Sequence, residues 1–404
     1  MMTLDEKFKA LETQNAPGQE FRQDISDLST IMRGEKLEGD SIDFSHGDVD
    51  AFVPTPGASE TWLRGFELGG EQAYTEYRGA AKIREGLADR LGLFTGSPIF
   101  ADKELIITPG TQGALFLALG STVEAGEKVA VIEPDYFANR KLVKYFGGVV
   151  VPIPLSYQDT MSKSGPDLNI LEEAFKDGTK TLVFSTPNNP TGVVYTKDTI
   201  DKISVLTARY NVTVIVDQLY SRLLYSGETY THFRACKIVP KNMITIMGPS
   251  KTESLSGFRL GTAFGTASII ERMEQLQAIV SLRAAGYNQA VLEDWLQEPK
   301  EWMEARIKAH EAIRDELLGI FNLAGLLTAT PQAGSYLFPQ LPSLDIDLKL
   351  FVQLLRYQAG VIVTPGAEFG PTTRDSVRLN FSQDHAKAVA AAKRIVEMVK
   401  RYRK

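Results

Sequence analysis

The sequence predicts an α/β fold, with a large domain around a mainly parallel sheet and a smaller α+β domain after it. Two patterns carry this reading. Between about Glu104 and Met247, short apolar runs alternate with helical stretches, and the runs read as strands buried on both faces. After about Glu298 this alternation gives way to charged helices and shorter apolar runs.

Residues 105–107 (LII) read as the first strand, and a helix opens near Gln112. Residues 128–132 (KVAVI) are the next strand, followed by a helical stretch to Phe146. Strands follow at 149–153 and 181–184, a helix at 197–210, and strands at 212–216 (VTVIV) and 243–247. Further on, Pro299 suits the opening of a helix, and 300–323 reads as a long charged amphipathic one. Then come Gly334-Ser335-Tyr336-Leu337-Phe338, a helix near Leu348, strands at 361–363 and 377–381, and a last helix ending in KRYRK. The expected organisation is a candidate mobile arm over 1–23 and a segment over 24–60 that joins the small domain. A large domain covers 61–298 and a small one 299–404.

A length of 404 residues suits two domains of ordinary size. Net charge is −6, which argues against nucleic acid as a main partner, since phosphate backbones need clustered Lys and Arg. The single cysteine, Cys236, allows no intrachain disulfide and reads as a small buried hydrophobe rather than a nucleophile. The four histidines show no metal-ligand spacing. The polar N-terminus lacks the apolar core of a signal peptide, and no stretch suits a membrane span. A cytoplasmic protein is expected.

Ligands of α/β sheets bind beyond the carboxyl ends of the strands, so residues there deserve joint inspection. Behind the first strand, Gly110-Thr111-Gln112 opens a helix whose free N–H groups suit a phosphate, although such turns are often only tight turns. Behind 181–184 comes Pro187-Asn188-Asn189-Pro190-Thr191-Gly192, a stiff turn that presents amides or is simply a turn. Asp217 follows a buried strand, with Tyr220 close behind; it is a cap or the partner of a buried cation. Lys251 differs from a solvated lysine because it sits in a Gly- and Ser-rich stretch behind an apolar strand. Arg378 lies within the apolar run Val377-Arg378-Leu379, where it either snorkels or binds a carboxylate.

Together these residues resemble the class I/II aminotransferases of pyridoxal-phosphate (PLP) fold type I, from roughly residue 40 to the end. The resemblance rests on Asn-Asn-Pro-Thr-Gly at 188–192, Val-Asp-x-x-Tyr at 216–220, Ser-Lys then Gly-x-Arg-x-Gly at 250–261, and Arg-Leu-Asn at 378–380. It implies that Lys251 carries PLP as a Schiff base and that Asp217 partners the ring nitrogen. Asn189 and Tyr220 would hold the ring's 3-oxygen, lowering the pKa of that linkage. Ser250, Arg259 and the amides around Gly110, Thr111 and Gln112 would hold the phosphate. Tyr136 matches the ring-stacking aromatic, and Tyr74 a tyrosine that reaches a neighbouring subunit's phosphate. Arg378, assisted by Asn189 and the backbone of Gly47, matches the clamp for the substrate α-carboxylate. Where a phosphate-binding serine can stand three residues before the lysine, this chain has Gly248.

The resemblance further implies ping-pong transfer of an amino group between an L-amino acid and a 2-oxo acid. Lys251 would act as base and then acid. Lyase, decarboxylase and racemase chemistry occur on related sites and stay open at this point. Arg283 matches a substrate-facing loop of the partner subunit; it would read a side-chain carboxylate, giving aspartate or glutamate specificity, or form an interface salt bridge. Tyr77, Arg78, His46 and Arg64 are further candidates for the pocket. A homodimer with shared sites is expected, and no metal.

Overall fold

A computed structural model describes residues 3–13, 16–18, 26–158 and 164–404. The expected arm therefore lies partly outside the described residues, at 1, 2, 14, 15 and 19–23. Its described part includes helix α1 (Leu4–Lys9), begun by a Thr3 and Glu6 capping box. Lys141 Nζ donates to the Glu12 carbonyl at 2.7 Å, and Ala16 is buried, so this stretch lies against the body of the protein.

Strand β1 (Ile42–Asp43) is followed by α2 (Ala58–Glu67), α3 (Gly70–Ala73) and α4 (Ala81–Thr95). The large sheet then builds from β2 (Leu105–Pro109), β3 (Lys128–Glu133), β4 (Val149–Ser156), β5 (Gly165–Pro166), β6 (Thr181–Ser185), β7 (Thr213–Asp217), β8 (Met243–Met247) and β9 (Leu260–Gly265). Between them run α5 (Gly110–Gly120), α6 (Phe137–Tyr145), α7 (Leu168–Lys176) and α8 (Lys197–Arg209), with α9 (Ala267–Val280) after β9. The strand order is β2-β9-β8-β7-β6-β3-β4-β5. Pairing is parallel from β8 through β7, β6 and β3 to β4, and antiparallel where β9 meets β2 and β8 and where β5 meets β4.

The expected strands are present, most of them a residue or more longer. The strand at 212–216 is shifted by one, so Asp217 ends β7 instead of following it. Strand β9 was not expected. Its glycines give it weak strand propensity, yet Gly261 is needed there because the Gly110–Thr111 backbone packs onto it with no room for a Cβ.

The smaller domain contains α10 (Lys300–Leu323), β10 (Tyr336–Leu337), α11 (Leu348–Ala359), β11 (Val361–Ile362), β12 (Thr364–Pro365), β13 (Val377–Asn380) and α12 (His385–Tyr402). Its short sheet runs β10-β13-β12, and β1 pairs in parallel with β11. Ile42 and Phe44 share one apolar core with Phe351, Val361, Phe381 and Met398, which ties the N-terminal segment to this domain. The boundary drawn at 60/61 falls inside α2. That helix begins after its Gly57 cap and packs on the 3-10 turn Tyr287–Glu293.

Candidate active site

A cavity opens beyond the carboxyl ends of β6, β7 and β8, where it also meets β13. Thr111, Gln112, Tyr136, Asn189, Asp217, Tyr220, Ser250, Lys251, Arg259 and Arg378 all line it. Gly47 lines an adjoining cavity that also touches Lys251. Residues far apart in sequence therefore converge on one rim. Each parallel strand ends at the same rim, and the polar residue placed there faces its counterparts on neighbouring strands.

Arg378 is the most constrained of these side chains. It is 2% exposed, yet no carboxylate pairs with it among the described residues. Nη1 donates to Asn189 Oδ1 at 3.0 Å and Nη2 to the Ser45 carbonyl at 2.9 Å, while Nε is buried without a partner. The guanidinium is sandwiched between the rings of Tyr336 and Phe369, at 4.3 and 4.8 Å from their centroids. A buried cation without a counter-ion is costly, and it suits a carboxylate that arrives with a ligand.

Asp217 Oδ1 accepts from the Leu219 amide at 2.9 Å. Burial still pushes the carboxyl up to about 6, so a cation placed against it would restore the ionised form. A protonated pyridine nitrogen is such a cation. Across the cavity, Gly110 adopts φ +75° and a Cβ there would sit 2.6 Å from Arg259 Nη2. Glycine at this position lets the guanidinium approach the opening of α5, where free amides point outward. Ser250 adds a hydroxyl, and Gln112 Oε1 accepts from the Tyr136 hydroxyl at 2.8 Å. A Cβ at Gly248 would lie 2.7 Å from Thr111 Cγ2, so Thr111 occupies the space that a serine side chain would need. An amine-bearing cavity, a carboxylate for a ring nitrogen and an anion cradle fit PLP chemically.

Tyr74 and Arg283 do not line this chain's cavity. They lie together elsewhere, with the Arg283 guanidinium 5.8 Å from the Tyr74 ring centroid and 5.5 Å from that of Tyr77. Tyr74 is 82% exposed. Of the further pocket candidates, His46 lines both cavities, and Asp43 holds its imidazole up at about 9, above the ordinary value. Tyr77, Arg78 and Arg64 do not line the cavity. Arg78 pairs with Glu274, and Arg64 donates to Thr61 Oγ1 at 3.0 Å. Cys236 stands apart from the site, its thiol pushed up to about 11, chiefly by burial. No group of three His, Cys, Asp or Glu side chains suited to a metal ion occurs among the described residues.

Tyr336 and Ser45 were missed. Tyr336 sat in a run, 334–338, that was given no role, and Ser45 contributes through a backbone carbonyl that leaves no side-chain signature. Pro17 and Gly18, from the described part of the arm, also reach the cavity.

The fold and the cavity define a PLP-type transferase site. Residues 41–395 match the family model "Aminotransferase class I and II", and the chain belongs to that family, whose members depend on pyridoxal phosphate. It is an aminotransferase. Among solved structures it resembles an aspartate aminotransferase from Rhodobacter sphaeroides, with 58% identity, TM-score 0.95 and full coverage of both chains. An aspartate aminotransferase from Thermus thermophilus, solved with maleate, is 25% identical at TM-score 0.85, covering 98% of this chain and 100% of that one. The aspartate/prephenate aminotransferase of Thermus thermophilus is 28% identical over 393 residues, 96% of this chain and 95% of that protein. Among the described residues no helix is long and apolar enough to cross a membrane.

Proposed function

We propose that this aminotransferase exchanges the amino group of L-aspartate or L-glutamate with a 2-oxo acid, 2-oxoglutarate being the common partner, by ping-pong kinetics. The observation that carries the amino-acid part of the reading is Arg378, a buried guanidinium with no carboxylate partner among the described residues, set in the cavity that also holds Lys251; the preference for acidic donors rests on Arg283.

When bound, pyridoxal phosphate supplies an aldehyde that captures an amine and a ring that withdraws electrons from the bonds at the captured carbon. Lys251 is the amine that anchors it. Arg378 grips the substrate α-carboxylate through its free N–H groups, and Asn189 and Ser45 hold the guanidinium plane in place. This grip would present the substrate Cα–H to Lys251, whose Nζ, set free when the arriving substrate amine displaces it, takes the proton as a general base and later returns it. Asp217 would keep the ring nitrogen protonated, Asn189 and Tyr220 would hold the 3-oxygen, and Tyr136 would pack against the ring. Gly110, Thr111, Gln112, Ser250 and Arg259 would hold the phosphate. Gly47 contributes its backbone to the carboxylate grip.

For the side-chain carboxylate, Arg283 is the proposed reader, acting on the neighbouring subunit's site in a homodimer with Tyr74 beside it. Their shared position away from this chain's own cavity supports that reading. So do the relatives that are aspartate and aspartate/prephenate aminotransferases, and the dicarboxylate maleate held by the Thermus thermophilus enzyme. The test is a matrix of amino donors against 2-oxo acids, run for the parent protein and for Arg283→Ala. Aspartate and glutamate should be the best donors, and the variant should lose them far more than alanine. Equal losses on all three donors would remove Arg283 from this role, and poor activity on both acidic donors would overturn the substrate reading.

A further inference from the structure

Tyr220 and Tyr336 are both buried, at 3% and 4% exposure, with ring centroids 5.3 Å apart in an edge-to-face arrangement. Tyr220 donates its hydroxyl proton to the Tyr336 oxygen at 2.6 Å, at the short end for two hydroxyls. The Arg378 guanidinium lies on the other ring of the pair, 4.3 Å from the Tyr336 centroid. One continuous stack therefore links Arg378, Tyr336 and Tyr220. All three residues line the cavity that contains Lys251.

We infer that Tyr336 is a positioning residue that backs Tyr220: once an anionic oxygen sits against Tyr220, the proton order of the pair reverses, and Tyr336 donates to Tyr220 while Tyr220 donates to that oxygen. This rests on the proposed placement of the cofactor's 3-oxygen at Tyr220. A hydroxyl carries one proton and two acceptor sites, so the reversal needs only two rotations about C–O bonds. Chains of hydrogen bonds that end on an anion polarise in one direction, and each link strengthens the next. The charges around the pair favour Tyr336 as the outer donor. Burial raises the Tyr336 phenol, but Arg378, Lys251 and the hydrogen bond accepted from Tyr220 together hold it below its ordinary value, against an opposing push from Asp217. Tyr220 moves the other way, raised by burial first and by Tyr336 next. Tyr136, His46 and Arg259 also line this cavity; burial raises the Tyr136 phenol, and the hydrogen bond with Asp43 raises His46 to about 9. The Arg378 cation thus lies on the Tyr336 ring, behind Tyr220, where it polarises Tyr336 toward donating and so makes Tyr220 a stronger donor.

The readout is the pKa of the lysine–cofactor linkage, followed by absorbance titration of the loaded enzyme at the visible edge. A hydrogen bond that stabilises the negative 3-oxygen lowers this pKa. Tyr336→Phe removes one oxygen, keeps the ring under Arg378 and should raise the pKa by about 0.2–0.6 unit, the cooperative share of one charge-assisted bond. Tyr220→Phe should raise it more. In a Tyr220→Phe background, Tyr336→Phe should add nothing, whereas a merely structural disturbance would add the same increment in both backgrounds. A fall or no change in Tyr336→Phe overturns the inference, as does an additive double variant. If the parent protein shows no such absorbance at all, it is the placement of the cofactor on Lys251 that fails.

Discussion

Replacing Arg378 by lysine keeps the charge and removes the fork. The guanidinium has five N–H donors, of which one serves Asn189 Oδ1 and one the Ser45 carbonyl. Two or more then remain for a carboxylate, enough for a paired grip. An ammonium has three donors. If it keeps the two internal partners, one is left for the substrate. The variant therefore loses one charge-assisted hydrogen bond, about 1.5–3 kcal/mol, or roughly 10- to 150-fold in kcat/KM. Arg378→Ala loses the charge as well, about 3–5 kcal/mol, or roughly 150- to 5000-fold. Because the group gripped is common to all α-amino acids, the factor should be alike for aspartate, glutamate and alanine. Steady-state kcat/KM on the three donors is the assay. A loss under about fivefold in Arg378→Lys, or one confined to the acidic donors, would refute the reasoning.

Other consequences concern stability. Asp217 has a folded pKa of about 6, above its ordinary value of 3.8. A carboxyl shifted this way costs the fold nothing below its unfolded pKa and destabilises it increasingly as pH rises through the folded value. In the cofactor-free protein, Asp217→Asn should therefore raise the melting temperature at pH 8, by the equivalent of about 3 kcal/mol, and leave it unchanged near pH 3. The opposite pattern in thermal scans would remove the burial argument. Arg222 donates to Glu253 and, at 2.6 Å, to Glu298, and both carboxylates are almost fully buried. Arg222→Ala leaves two unpaired buried carboxylates and should cost about 3–5 kcal/mol in denaturant unfolding at pH 8, and less at pH 5, since Glu253 is raised to about 7, chiefly by burial. A cost below about 1 kcal/mol at pH 8 would show that the triad is not under this strain.

The parts of the fold legible in the sequence were those with an unbroken chemical pattern. The run Met243–Met247 is apolar but for Thr245 and was located to the residue. Helix Lys300–Leu323 was bounded correctly because Pro299 opens it and a glycine, Gly325, stands just past its end. Strand β9 was not legible, since its glycines answer to the backbone of another segment, Gly110–Thr111, and not to any local preference. The site divides in the same way. Lys251, Asp217 and Asn189 stand in motifs at the carboxyl ends of strands, so their meeting follows from the topology of a parallel sheet, whereas Arg378 comes from β13 of the short antiparallel sheet. Tyr336 comes from β10 of the smaller domain and meets Tyr220 only because the two domains close on one cavity. The placement of Tyr74 and Arg283 side by side depends on tertiary packing that no local pattern encodes.

The central claim is that Lys251 is the residue to which the cofactor is attached. Borohydride reduction of the loaded enzyme fixes that linkage, and peptide mass spectrometry then locates it. The account predicts the cofactor's added mass on the peptide containing Lys251, and its loss together with the visible-edge absorbance in Lys251→Ala. Added mass on a different lysine, or a Lys251→Ala variant that keeps both absorbance and transamination, would contradict it.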